Sequence, residues 1–171
     1  MKLRETINLA HKTLLEAGID HALIGGIALA TLGLNRATAD VDLLIDGENK
    51  ELALDVLQKK GFKLALSTKE VLHFDGAGYL DILLANRPMS KAMLGNSFVV
   101  KGAKLNIKCV GPEDIIGLKI QAYVNDRSRE LQDKADIKAV FELHRDLSID
   151  KVKEYAELFN EWATIKLLLG K

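Results

Sequence analysis

Residues 24–46 read IGGIALATLGLNRATADVDLLID, a glycine pair (Gly25, Gly26) followed by Asp40-Val41-Asp42 at the head of an apolar run. His21 to Ile24 reads as a short strand that the glycines break, and Ile27 to Leu32 has helix-forming composition before Gly33, which puts the pair at a strand-to-helix turn. Val41 to Ile45 is a β-branched and leucine run of strand length. Alternate residues of a strand share a face, so Asp40 and Asp42 are expected to project together, with Val41 and Leu43 on the other side. Like charges at that spacing repel, and burial makes ionisation costlier, so the arrangement calls for a cation or for solvent. Mg²⁺ suits it, because that ion takes oxygen ligands, commonly one or two carboxylates completed by water and substrate phosphates. The plain alternative is that the two aspartates cap a strand end in water.

A third carboxylate follows. Asp81 is the one acidic residue in Tyr79-Leu80-Asp81-Ile82-Leu83-Leu84, otherwise an apolar strand. If that strand lies beside Val41 to Ile45, Asp40, Asp42 and Asp81 converge on one divalent site, Mg²⁺ or Mn²⁺. Such a cluster can hold two metals about 4 Å apart, one activating an attacking hydroxyl and one stabilising the leaving group. Asp81 serves there as ligand or general base. Gly25 and Gly26 let phosphate approach the backbone, and a helix N-terminus offers unpaired N–H groups and partial positive charge. The spacing matches neither Gly-x-Gly-x-x-Gly nor a phosphate loop with Gly-Lys-Ser/Thr. Arg36 and Thr38, just before the first carboxylate, are candidate phosphate contacts, as are Arg127 and Arg129 in an expected interhelical turn. Asp46 before Gly47 reads as a turn residue, His73 as a cross-strand surface residue, His144 as core lining and Trp162 as core or partner surface.

Working outward, residues 3 to 17 carry Leu3, Ile7, Ala10, Leu14 and Ala17 at helical spacing before Gly18. Lys50 to Lys60 reads as a helix closed by Gly61, and Phe62 to Leu66 as a strand. Val71 to Phe74 and Tyr79 to Leu84 flank Asp75-Gly76-Ala77-Gly78 as a hairpin, with a further pair at Val99-Val100 and Leu105 to Val110. From Pro112 the period turns helical, predicting three helices over 112–124, 130–145 and 149–168. Lys119 falls between Ile115, Ile116, Ala122 and Tyr123 on the apolar arc of the first, where a lysine either pairs with an anion or reaches a triphosphate. Asp133, on the apolar stripe of the next helix, is the candidate ion-pair partner, and both roles can alternate. The expected fold is α+β (α/β), a mixed sheet of four or five strands flanked by helices with a helical C-terminal half. One domain is expected over 1–171, divided into halves at about 110.

The bulk composition narrows the class. At 171 residues and 48% hydrophobic the chain can bury one sizeable core. Lys plus Arg and Asp plus Glu number 24 each, so no overall basic excess holds a nucleic-acid backbone by charge alone. Cys109 stands alone, reads as a small buried residue, and fits a reducing compartment. No apolar run approaches the roughly 20 residues that span a bilayer, and the N-terminus has no signal-like core, so a cytoplasmic, membrane-free protein is expected.

Gly25-Gly26, then Asp40-x-Asp42, then Asp81 on a later strand resembles the polymerase-beta-type nucleotidyltransferase superfamily. Gly111-Pro112-Glu113-Asp114-Ile115-Ile116-Gly117-Leu118-Lys119, followed by Asp133-Lys134-Ala135-Asp136-Ile137, is similar to the minimal bacterial branch grouped with abortive-infection (AbiEii-like) toxins. The resemblance spans about residues 20–140. It implies Mg²⁺-dependent transfer of a nucleoside monophosphate from a nucleoside triphosphate to an acceptor hydroxyl. It implies Asp40 and Asp42 as metal ligands, Asp81 completing the metal site or serving as base, and Gly25, Gly26 and Lys119 on the nucleotide, with Arg36 and Thr38 kept as the nucleotide contacts that their position before the first carboxylate suggests. The second motif position is Gly26 where many members have Ser, which removes one hydroxyl contact to phosphate. The acceptor is left open among RNA such as tRNA, protein and a small molecule. The roles weighed are a toxin with an antitoxin partner, an antibiotic nucleotidyltransferase, and a catalytically silent antitoxin or binding module.

Overall fold

The computed structural model describes residues 2–100 and 105–170. Met1 and Lys171, the ends of the expected domain, and residues 101–104, between the last two expected strands, lie outside the described residues. The chain divides into two compact units, Met1–Thr31 with Asn35–Val110, and Leu32–Leu34 with Gly111–Lys171.

The first unit is built on one mixed sheet. Its strands are β1 (His21–Leu23), β2 (Val41–Asp46), β3 (Phe62–Ser67), β4 (Val71–Gly76), β5 (Leu80–Ala85), β6 (Phe98–Val99) and β7 (Lys108–Cys109), ordered β3-β4-β5-β2-β1-β7-β6. The sheet therefore has seven strands among the described residues, not four or five. The two short strands expected as a separate pair extend the sheet itself. β2 takes one edge of β1 in antiparallel register, and β7 takes the other in parallel register, with Ala22 opposite Lys108 and Leu23 opposite Cys109. Because all three β1 residues are buried, both of their backbone edges need partners, and β7 supplies the second. Val41, Leu43, Leu44, Ile45, Leu80 and Ile82 have no exposed surface, so β2 and β5 form the centre of the core.

Helices α1 (Leu3–Glu16), α2 (Gly25–Thr31), α3 (Lys50–Lys59) and α4 (Pro88–Gly95) flank the sheet. The sequence reading did not include α4; its signal was Pro88 at the first helical position, where a missing N–H is harmless.

His11 on α1 and His21 on β1 form a buried pair. His21 Nδ1 donates to the Ile19 carbonyl at 2.8 Å, which leaves its Nε2 to accept from His11 Nδ1 at 2.7 Å. Burial, reinforced for His11 by the neighbouring imidazole, lowers both pKa values below the ordinary histidine value. An imidazole whose folded pKa is depressed stays neutral in the native state while the unfolded chain takes up protons. Its stabilising contribution is therefore present above about pH 6.5 and is lost as pH falls from there towards the folded value. The expected result is a urea midpoint that falls between pH 7.5 and 5.5, by less in His11→Gln than in wild type, with up to about 1.4 kcal/mol per pH unit for each proton involved. Identical pH slopes for the two proteins would assign the dependence elsewhere.

The second unit is helical: α5 (Pro112–Asn125), α6 (Glu130–Leu143), α7 (Ile149–Leu158) and α8 (Trp162–Leu168). The single helix expected over 149–168 is two helices. The break lies at Asn160, which holds φ 56°, a left-handed conformation that asparagine tolerates better than most residues. Gly117 lets α5 approach α7, since a Cβ there would lie 2.7 Å from the Tyr155 ring.

The unit is stapled by buried polar groups. Tyr155 donates to Asp114, Tyr123 donates to Glu161 at 2.9 Å, and burial followed by these carboxylate acceptors raises both phenol pKa values, keeping them neutral donors. Lys119, 7% exposed, lies 2.7 Å from both Asp133 Oδ1 and Asp136 Oδ2. His144 is half-buried and meets the Leu32 carbonyl at 2.9 Å, so it is a hydrogen-bonding residue more than a core-lining one. Among the described residues no helix is long and apolar enough to cross a membrane.

Candidate functional site

The site grows from the register of three neighbouring strands. β2 and β5 run parallel with Asp42 opposite Asp81, and β5 and β4 run antiparallel with Asp81 opposite His73. Adjacent strands lie about 4.8 Å apart, so His73, Asp81 and Asp42 form one row across the sheet. Both aspartates are half-buried, each flanked along its strand by fully buried residues. His73 Nδ1 donates to Asp81 Oδ1 at 2.6 Å.

The glycine pair sits against this row. Ile24 N–H donates to the Asp42 carbonyl at 3.0 Å, and the chain then turns into α2 at Gly25, with φ +63°. A Cβ on Gly25 would meet the Asp42 carboxylate, with Cγ 2.6 Å away, and one on Gly26 would lie 2.7 Å from Thr38 Cβ and Oγ1. Thr38 Oγ1 donates in turn to the Asp40 carbonyl at 3.3 Å. Glycine is thus required twice, because the carboxylate and the threonine occupy the space a side chain would fill. Gly25→Ala is expected to lower unfolding stability by at least about 1–2 kcal/mol from the left-handed backbone alone, and to displace Asp42 as well. Urea unfolding reads the first effect.

The structure thus brings Gly25, Gly26, Thr38, Asp42 and Asp81 together, with Asp40 exposed immediately before β2. Arg36 is exposed in the segment that leads into β2. Among the described residues no group of three or more His, Cys, Asp or Glu side chains is arranged to hold a metal ion. Two in-register carboxylates nevertheless fit Mg²⁺ or Mn²⁺. These hard ions bind oxygen, often through one or two carboxylates, and complete their shells with water and phosphate.

Lys119 belongs to the second unit, where Asp133 and Asp136 engage it. Arg127 and Arg129 are likewise paired there, with Glu161 and Asp133. Cys109 is fully buried beside Thr31 Oγ1, and burial pushes its thiol pKa up. His73, expected as a cross-strand surface residue, is one: its side chain is 40% exposed and it meets Asp81 across the β4–β5 pair.

No protein-family model matches the sequence, and no curated protein matches it. Solved structures do. The antibiotic-resistance factor ANT(2'')-Ia, in its solution structure, has a TM-score of 0.68 and 18% identity, covering 98% of this chain and 97% of that one. The lincosamide antibiotic adenylyltransferase LnuA, with lincomycin bound, has a TM-score of 0.58 and 16% identity over 81% of this chain and 96% of its own. An antigenic nucleotidyltransferase-like protein from Paracoccidioides brasiliensis has a TM-score of 0.56 and 19% identity over 99% of this chain and 94% of its own. The chain therefore has the fold of these nucleotidyltransferases.

Proposed function

We propose that the protein is a divalent-metal-dependent nucleotidyltransferase that moves a nucleoside monophosphate from a nucleoside triphosphate to an acceptor hydroxyl. The observation that carries this reading is the in-register pair Asp42 and Asp81 beside a glycine turn, on a fold shared with such enzymes. Asp42 and Asp81, with Asp40 joining them, would hold Mg²⁺ or Mn²⁺. When bound, that ion lowers the pKa of the attacking hydroxyl and offsets charge developing on the phosphates. Gly25 and Gly26 expose backbone to the triphosphate, and Thr38 and Arg36 flank its approach. The acceptor oxygen bonds to the α-phosphorus as the bond to pyrophosphate breaks, and Asp81 takes the hydroxyl proton. Lys119 is a structural cation in this reading, because two buried carboxylates already hold it.

Two readings of the acceptor have separate support. ANT(2'')-Ia has been solved with adenylyl-2''-tobramycin and LnuA with lincomycin, which favours a small hydroxylated antibiotic. The segments Gly111–Lys119 and Asp133–Ile137 resemble the AbiEii-like branch, which favours a cytoplasmic toxin with an antitoxin partner that acts on RNA, such as tRNA, or protein. The fold similarity to ANT(2'')-Ia runs over 98% of the chain, which supports residues 1–171 acting as one domain.

The test is incubation with each α-labelled nucleoside triphosphate and Mg²⁺, offering bulk tRNA, cell protein, aminoglycosides and lincosamides. Label in one acceptor class is the expected result and names the class. No label in any acceptor from fresh, folded protein would leave a silent binding module.

A further inference from the structure

Asp81 is held by a partner that the proposed chemistry has not used. His73 stands directly across from it on β4, and its Nδ1–H donates to Oδ1 at 2.6 Å, leaving Oδ2 as the oxygen His73 does not engage. The two side chains are 40% and 34% exposed, so they sit on the same partly open face as Asp42. An aspartate on a strand has two χ angles to fix before its oxygens face a common ion, and a single short hydrogen bond from a neighbouring strand fixes them. We propose that His73 is a positioning residue, which turns the Asp81 carboxylate so that one oxygen is committed to imidazole and the other is presented beside Asp42. This rests on the nucleotidyltransferase reading for its catalytic consequence, and on register and geometry for the positioning itself.

Carboxylates that serve metals depend on such outer partners, whose loss typically lowers metal affinity or activity by about 10–100-fold. Three proteins are compared: wild type, His73→Leu, which removes the donor, and His73→Asn, whose side-chain N–H stands close to where Nδ1 stood. His73→Leu is expected to lower kcat for transfer about 10-fold or more with KM for the nucleoside triphosphate little changed at saturating metal, and to weaken Mn²⁺ binding in the presence of a non-hydrolysable nucleoside triphosphate analogue, read by electron paramagnetic resonance, by a similar factor. His73→Asn is expected to recover most of both. Because His73 is part-exposed, both variants should keep a Tm near that of wild type. In wild type, the ¹⁵N shifts of the His73 ring are expected to show a protonated Nδ1.

Wild-type transfer with undiminished kcat and Mn²⁺ affinity in His73→Leu would overturn the positioning role and leave the enzyme reading standing. Equal losses in the Leu and Asn variants, or an unprotonated Nδ1, would overturn it too. No transfer by wild type would sink the enzyme reading, and the Mn²⁺ comparison and ring shifts would still decide the positioning.

Discussion

Asp42→Asn is expected to reduce nucleotidyl transfer by at least about 1,000-fold while leaving the fold intact. Asparagine preserves the size and one oxygen of the side chain but deletes its charge. Metal-assisted charge stabilisation contributes several kcal/mol to such displacements, and each 1.36 kcal/mol is a factor of ten in rate. Folding should scarcely suffer, because Asp42 is half-buried and stands opposite Asp81, so removing one of two adjacent negative charges relieves repulsion. The measurement is kcat/KM alongside a thermal melt. A variant that melts with wild type and transfers within tenfold of its rate would remove Asp42 from the chemistry. Asp81→Asn should behave alike, with the added loss of the proposed proton acceptor.

Lys119→Met carries the largest expected effect on stability. Its ammonium is buried between Asp133 and Asp136, at 2.7 Å from each. Methionine fills the volume but leaves two buried carboxylates facing each other without the cation that lay between them. Removing one partner of a buried pair typically costs 3–5 kcal/mol. Arg129 still meets Asp133 at 3.1 Å and Gln132 still meets Asp136 at 3.0 Å, so the lower end, about 3 kcal/mol, is the expected loss in urea unfolding. The triple variant Lys119→Met with Asp133→Asn and Asp136→Asn should recover much of it, since the stranded charges are gone. A loss below about 1 kcal/mol, a surface-pair magnitude, would mean that water reaches the pair. Transfer lost in a fully stable Lys119→Arg variant would instead assign this lysine to the triphosphate.

Much of this was legible because charge inside an apolar strand is conspicuous. Asp42 and Asp81 stood out for that reason, and so did Lys119 on the apolar arc of α5. What the sequence left unstated was register. Nothing local says that β2 pairs with β5 in parallel so that Asp42 meets Asp81, because 38 residues and two other strands intervene. The packing of α5 on α6 likewise decides that Lys119 is shared by Asp136 as well as by the expected Asp133. The glycine pair was read as a phosphate cradle, whereas the nearer cause of Gly25 and Gly26 is steric, the Asp42 and Thr38 side chains lying against them. His73 was legible as a cross-strand surface residue, but that its partner is Asp81 follows only from the β4–β5 register. Asn160, which ends α7, was masked by helical periodicity that runs on through it.

The most direct measurement is Mn²⁺ titration by electron paramagnetic resonance in the presence of a non-hydrolysable nucleoside triphosphate analogue, on wild type, Asp42→Asn and Asp81→Asn. Wild type should bind the ion tightly only with the analogue present, and each substitution should weaken that binding at least tenfold. Binding of equal strength in all three proteins would contradict a metal shared between the two strands.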